Sequence, residues 1–71
     1  MAIMKVVNQY IKTNFPEYDI EAVRGDGYVY FDGNDGYDKI ESIMCNPVST
    51  STDDMVDIVL AQIDDYIRNK E

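Results

Sequence analysis

The sequence contains no histidine and no tryptophan, and its one cysteine is Cys45. Without histidine, the Ser–His and Cys–His pairs that activate catalytic nucleophiles are excluded. A single cysteine cannot form a disulfide within the chain. One cysteine without any histidine also supplies too few ligands for a typical zinc site. The sequence therefore predicts a protein without enzymatic activity, catalytic residues, metal or cofactor, placed in a reducing cytoplasm, with Cys45 a packed and unreactive thiol.

Basic residues are scarce as well: six Lys and Arg stand against fourteen Asp and Glu, for a net charge of −8 and a pI near 4.1. Because nucleic acids and anionic membranes are bound through Lys/Arg patches, direct contact with either is disfavoured. No apolar run approaches a membrane span, and the N-terminal residues lack the features of a secretory signal. The natural electrostatic partner is a basic protein or nucleoprotein complex.

Apolar residues recur at helical spacing near both ends of the chain. This spacing predicts a first helix over residues 2–14. The second is predicted to begin at Ser51 or Thr52, either of which can cap it, with Asp53 and Asp54 at the positive end of the helix dipole. The apolar stripes are Ile3, Val6, Val7, Tyr10 and Ile11 in the first helix and Val56, Val59, Leu60, Ile63, Tyr66 and Ile67 in the second.

Between the helices, residues 18–24, 27–32 and 38–45 predict three strands, joined by a two-residue turn at Gly25–Asp26 and a four-residue turn at Gly33–Gly36. In this register Ala22 faces Val29, which in turn faces Ile40. One sheet face is then apolar, and the other is a tyrosine face. The apolar face contains Ile20, Ala22, Val29, Phe31, Ile40, Ser42 and Met44; the tyrosine face contains Glu21, Val23, Tyr28, Tyr30, Lys39, Glu41 and Ile43.

The predicted element order is α-β-β-β-α, in a single domain over residues 1–71. Each helix has one apolar stripe, and the three-stranded antiparallel meander has one apolar face. The economical arrangement is a two-layer α+β fold in which both helices pack on that face. The tyrosine face is then left open to solvent.

The segment Asp32–Asp38, Asp-Gly-Asn-Asp-Gly-Tyr-Asp, offers oxygen ligands that calcium would accept. It lacks the residues that an EF-hand loop requires, since counting from Asp32 its fifth, sixth and twelfth positions hold Gly36, Tyr37 and Ile43. Asn, Asp and Gly are also the residues of a tight turn, which is the favoured interpretation. Arg24-Gly-Asp matches the tripeptide of adhesion proteins, but a hairpin turn likewise accounts for these residues.

Two surfaces are candidate partner-binding sites. Tyrosines are enriched at protein interfaces, although they are also simply good strand formers. Carboxylates spread over a small rigid body can imitate the phosphates of a duplex, although acidic proteins are also simply soluble. The candidate residues are Glu21, Tyr28, Tyr30 and Glu41 on the tyrosine face and Asp53, Asp54, Asp57, Asp64 and Asp65 on the second helix.

The stretch Gly25–Phe31, Gly-Asp-Gly-Tyr-Val-Tyr-Phe, precedes an acidic glycine-rich loop, a predicted strand and a terminal helix. Over about residues 24–60 this resembles small proteins encoded by bacteriophages and related mobile elements, in which the stretch typically reads Gly-Asp/Glu-Gly-Tyr-Phe-Tyr-Phe. This chain departs from them in having Ile40, Ile43 and Met44 in the strand and no tryptophan. The resemblance implies a phage accessory protein in the host cytoplasm, a source whose small acidic proteins often inhibit host machinery, as anti-CRISPR and anti-restriction proteins do.

Charge, candidate surfaces and resemblance together predict a non-enzymatic, phage-type accessory protein. It is expected to bind and inhibit a host nucleic-acid-handling or defence complex, with DNA mimicry as one means. The alternative is a homodimeric structural or regulatory module that associates through its tyrosine face. A calcium module or a small metal-dependent enzyme is the third hypothesis.

Overall fold

A computed structural model describes residues 1–70 of the chain. Helix α1 (Met4–Asn14) precedes a hairpin of strands β1 (Ile20–Arg24) and β2 (Val29–Gly33); a short 3-10 turn (Tyr37–Lys39) and helix α2 (Thr52–Lys70) follow. The predicted α+β class is confirmed, but the antiparallel sheet has two strands rather than three. Within residues 1–70, none of the helices combines the length and the apolar character that crossing a membrane requires.

Helix α1 buries Val7 and Ile11 completely, as their spacing of four residues predicts. The Phe15 N–H closes the helix by donating to the Ile11 carbonyl at 2.7 Å. The helix ends there because Pro16, the next residue, disfavours helical backbone at the residue before it.

Helix α2 begins where the Ser51 hydroxyl accepts a hydrogen bond from the Asp54 N–H at 3.2 Å, so Ser51 is the cap. Thr52, the other candidate cap, has a different role, since its hydroxyl accepts the Ile3 N–H at 3.0 Å. Met55, Val59 and Ile63 are fully buried along one stripe of the helix. The cap residue and the helical spacing are thus both consistent with the predicted second helix.

The hairpin pairs Ala22 with Phe31 and Val23 with Tyr30, a register shifted by two residues from the predicted one. The turn is longer than predicted, because the Gly25 N–H donates to the Tyr28 carbonyl at 2.8 Å and closes a four-residue connection. Gly27 takes a left-handed conformation in it, with φ of 85°. An even shift keeps every side chain on its predicted face. The apolar face of the hairpin is confirmed by the burial of Ile20, Ala22, Val29 and Phe31.

The predicted third strand over 38–45 is wrong. Gly36, with φ of 88°, precedes a 3-10 turn in its place, and residues 38–45 pair with β2 through one bridge alone, between Val29 and Ile43. Ile40 and Ile43 are both buried, although alternation placed them on opposite faces. Their spacing of three residues suits a turn better than a strand. Met44, predicted in the core, is 83% exposed.

The core lies between the helices and the buried face of the hairpin. Helix α1 contacts both β1 and α2, and it thereby links the hairpin to the C-terminal helix. Asn8 fixes α1 to the free edge of β1: its side-chain amide donates to the Ala22 carbonyl at 3.0 Å and accepts the Ala22 N–H at 2.8 Å. The Asn8 side chain thus forms the hydrogen bonds to the Ala22 N–H and C=O that a neighbouring strand would otherwise provide.

Candidate partner-binding surfaces

The solvent side of the hairpin is the first candidate surface, and we call its residues Glu21, Val23, Tyr28, Tyr30 and Asp32 the hairpin face. The register places Glu21 directly opposite Asp32 and Val23 directly opposite Tyr30. The surface therefore has an acidic end and an aromatic end. It is two strands wide, because the third strand that would have added Lys39, Glu41 and Ile43 is not formed.

The aromatic end consists of two tyrosines in contact with each other. The ring centroids of Tyr28 and Tyr30 lie 6.0 Å apart with an interplanar angle of 40°. Tyr30 is 38% exposed, whereas Tyr28 is half-buried. The Tyr28 ring covers Gly25, where an added Cβ would come within 2.5 Å of its Cζ. Tyr28 is therefore partly used in closing the turn, and Tyr30 is the more accessible of the two rings.

The acidic end carries two like charges side by side. Cβ atoms of directly opposite residues lie about 5 Å apart, and like charges at that position destabilise a sheet. Asp32 is held in place by its own backbone, since its Oδ1 accepts the Gly33 N–H at 2.9 Å. Sequence reasoning missed Asp32 as a site residue because the predicted register placed Tyr30 opposite Glu21. A correct turn length would have revealed the pair.

Glu41 lies apart from the tyrosines, against the C-terminal half of α2. Its backbone carbonyl accepts a hydrogen bond from Gln62 Nε2 at 3.0 Å. A cleft of about 190 Å³ is lined by Glu41, Gln62, Asp65, Tyr66 and Asn69. The prediction that placed Glu41 beside Tyr28 depended on the third strand and is wrong for the same reason. Glu41 instead extends the acidic surface of α2.

The second candidate surface is the solvent face of α2. Asp53, Asp54, Asp57 and Asp65 are exposed there, and Asp64 pairs with Arg68 at 3.0 Å, both side chains being largely accessible. At about 1.5 Å of rise per residue, positions 53 to 65 span about 18 Å, or one carboxylate per about 4 Å. One strand of B-DNA carries one phosphate per about 3.4 Å of axis. The average linear charge density of this helix face is therefore somewhat below that of one DNA strand, with the aspartates in two groups, at 53–57 and 64–65, and Arg68 offsetting one of them.

The structure does not bring the two surfaces together. Helix α2 and the hairpin both contribute to the same core, and each packs against α1. The two surfaces therefore lie on separate elements. The predicted site residues therefore form two separate groups, with Glu41 joined to the α2 group.

The loop after β2 is a turn anchored by the end of α2. Asp35 and Gly36 both have positive φ, of 58° and 88°. Lys70 Nζ donates to the Asp35 carbonyl at 3.2 Å and lies 4.5 Å from the centroid of the Tyr37 ring. The Tyr66 hydroxyl donates to the Gly36 carbonyl at 3.1 Å. Across the described residues, no group of three or more Cys, Asp or Glu is arranged to hold a metal ion.

Cys45 is half-buried, and its Sγ lies 3.0 Å from the hydroxyl of the buried Thr50. The same hydroxyl donates to the Asn46 carbonyl at 2.8 Å. The thiol is thus partly packed, but it lies in the connector before α2 rather than at the end of the predicted third strand. The Arg24-Gly-Asp tripeptide spans the end of β1 and the hairpin turn, where Gly25 and Asp26 begin the four-residue connection.

Comparison of the chain with protein families, with characterised proteins and with solved structures finds no match in any of the three.

Proposed function

We propose that this chain is a non-enzymatic accessory protein that binds a basic protein of the nucleic-acid-handling or defence machinery and blocks its nucleic-acid-binding surface. The phage context of the proposal comes from the Gly25–Phe31 resemblance, and its mode of action comes from surface charge. The protein acts by occupying a surface that a polyanion would otherwise fill.

The observation that carries the proposal is the uncompensated acidic face of α2. Four of its five aspartates make no ion pair, and the one ion pair within residues 1–70 is that of Asp64 with Arg68. An exposed pair of this kind contributes little to stability, and the helix dipole accounts for Asp53 and Asp54 in the first turn but not for Asp57, Asp64 and Asp65. A face whose charge density is somewhat below that of a DNA strand suits a channel built for phosphates.

The core supports this use of α2. Met55, Val59 and Ile63 hold the helix firmly along its opposite side, and Ser51 fixes its first turn. The carboxylates are thus presented from a regular helix rather than from a loop. Side chains held on a helix lose less conformational entropy on binding than those of a flexible acidic tail would.

The test is an affinity capture from bacterial lysate with the tagged protein, followed by elution with duplex DNA. We expect retained proteins that bind nucleic acid and that excess DNA displaces. Raising salt from about 0.1 M to about 1 M shortens the Debye length from about 10 Å to about 3 Å and should release them. Retention that neither salt nor DNA reduces would refute the proposal.

A matched pair of variants assigns the effect to α2. The first carries Asp53→Asn, Asp54→Asn and Asp57→Asn. The second removes the same number of charges elsewhere, through Glu17→Gln and Asp38→Asn together with substitution of Asp26 in the hairpin turn by Asn. We expect the first variant to lose capture and the second to keep it. Equal loss in both would mean that net charge alone drives binding, without a defined surface.

A further inference from the structure

The hairpin face contains a charge pair that the fold does not explain. Glu21 and Asp32 lie opposite each other on neighbouring strands, where like charges are destabilising. Neither carboxylate forms an ion pair with a Lys or Arg of residues 1–70. A chain of this size has a thin stability margin, so an unneutralised pair at this position is a feature to be explained.

None of the five residues of the hairpin face is basic, and Lys5 and Lys12 of α1, which line a cleft together with Glu21, form no ion pair with it. Arg24 follows the alternation of Ile20 and Ala22 and so belongs to the other side of β1, where its Nη1 lies 2.9 Å from Met1 Sδ. Lys39, the cation that a third strand would have placed here, is in the 3-10 turn. Within residues 1–70 the Glu21–Asp32 pair therefore has no Lys or Arg in ion-pair contact, which leaves it open to a cation from another molecule.

The aromatic end of the face determines which cation fits. Tyr30 precedes Asp32 by two residues on the same side of β2, which places their backbone positions about 7 Å apart. A cation–π contact forms within about 6 Å of a ring centroid, so one side chain can reach both groups. The chain already uses this combination internally: Lys70 lies over the Tyr37 ring while its Nζ donates to a backbone carbonyl.

We propose that the hairpin face is an arginine-binding surface. A guanidinium from the partner lies against the Tyr30 ring and donates its paired N–H groups to Glu21 and Asp32. Arginine fits better than lysine because its planar fork can stack on a ring and bond two carboxylate groups at once. The inference rests on the proposed function for the basic nature of the partner and adds the residue type that is recognised.

A second copy of this chain does not fit as the occupant. A two-fold interface through the hairpin face would bring two Glu21–Asp32 pairs together and would contribute no Lys or Arg from either copy. Burying carboxylates without a cation is strongly unfavourable. The charge of the surface therefore favours a basic partner over self-association.

The test uses two blocked peptides in which glycine alternates with arginine or with lysine, titrated into the ¹⁵N-labelled protein. We expect the amide signals of Glu21, Tyr30 and Asp32 to move, and the arginine peptide to bind several-fold more tightly than the lysine peptide. Because hydrogen bonds to charged groups are individually strong, the double variant Glu21→Gln/Asp32→Asn should weaken binding by about tenfold or more. Tyr30→Leu should reduce the preference for arginine over lysine, because it removes the ring on which the guanidinium stacks.

The matched control is Asp53→Asn/Asp54→Asn on α2. It removes two negative charges, as the hairpin double variant does. It should change peptide affinity much less than the hairpin double variant does. Equal weakening by both variants, equal affinity for both peptides, or a dimer in sedimentation that the hairpin variant dissociates would overturn the proposal. The peptides replace the natural partner, so this result does not depend on the capture experiment. The capture experiment can also be repeated with the Glu21→Gln/Asp32→Asn variant. If that variant still captures a protein that DNA displaces, the proposed function stands and the arginine site is refuted.

Discussion

Replacing Asn8 with alanine tests how α1 is held against the hairpin. The substitution removes both hydrogen bonds to Ala22 and a third, from Asn8 Nδ2 to the Met4 carbonyl at 3.0 Å. A hydrogen bond contributes about 1 kcal/mol net, so the three together contribute about 3 kcal/mol. Ala22 is 2% exposed, and leaving its N–H and C=O without partners adds to the loss.

That loss is a large part of the total for a protein of this size. At about 0.05–0.15 kcal/mol per residue, a chain of 71 residues has an unfolding free energy of about 4–11 kcal/mol. With a urea m-value of about 1 kcal/mol/M, the Asn8→Ala variant should unfold at a urea concentration about 3 M lower, as followed by circular dichroism.

Two further variants make the measurement specific. Asn8→Asp keeps an acceptor for the Ala22 N–H but opposes the Ala22 carbonyl with a carboxylate oxygen, so it should be destabilised at least as much as Asn8→Ala. Gln9→Ala, an exposed neighbour on the same helix, should stay within about 0.5 kcal/mol of the parent protein. An Asn8→Ala variant within about 1 kcal/mol of the parent would refute the assignment of these hydrogen bonds.

Four further outcomes are expected. Ile43→Ala should cost about 2–4 kcal/mol and Met44→Ala less than about 0.5 kcal/mol in urea unfolding, whereas a third strand with Met44 in the core would give the reverse order. Glu21→Thr should raise the unfolding free energy by about 0.5 kcal/mol by relieving the charge of Asp32; a loss would contradict the cross-strand repulsion. Tyr66→Phe should cost about 1 kcal/mol through its lost hydrogen bond to the loop, and an unchanged urea midpoint would argue against that bond. Added salt should raise the melting temperature of the free protein, as scanning calorimetry would show, because it screens mutual repulsion among the carboxylates.

The hairpin faces were predictable although the turn was not. Period-two alternation places Ala22 and Phe31 on one side whatever the turn length, provided that the register changes by an even number. The choice between a two-residue and a four-residue turn depended on Gly27 and on the packing of Tyr28 over Gly25. Asp32 was missed for this reason, since the partner of Glu21 follows directly from the turn length.

The third strand failed because its apolar residues fit two structures. Ile40 and Ile43 can lie on opposite faces of a strand or on one side of a turn, and local sequence favours neither strongly. The contacts that decide come from far along the chain, where Tyr66 and Lys70 bind the loop before this segment. Asn8 is not part of the apolar stripe of its helix, and helical periodicity does not reveal that such a polar side chain meets a strand edge.

Charge and stability act in opposite directions in this protein, and salt separates them. The aspartates of α2 and the Glu21–Asp32 pair weaken the free fold by mutual repulsion, while hydrogen bonds such as those of Asn8 offset part of that loss. The same carboxylates would strengthen a complex with a basic partner. Salt should therefore stabilise the free protein and weaken the complex. If the acidic residues served only solubility, salt would still stabilise the free protein, but there would be no partner whose binding salt weakens. The weakening of a complex by salt is therefore the effect that bears on function.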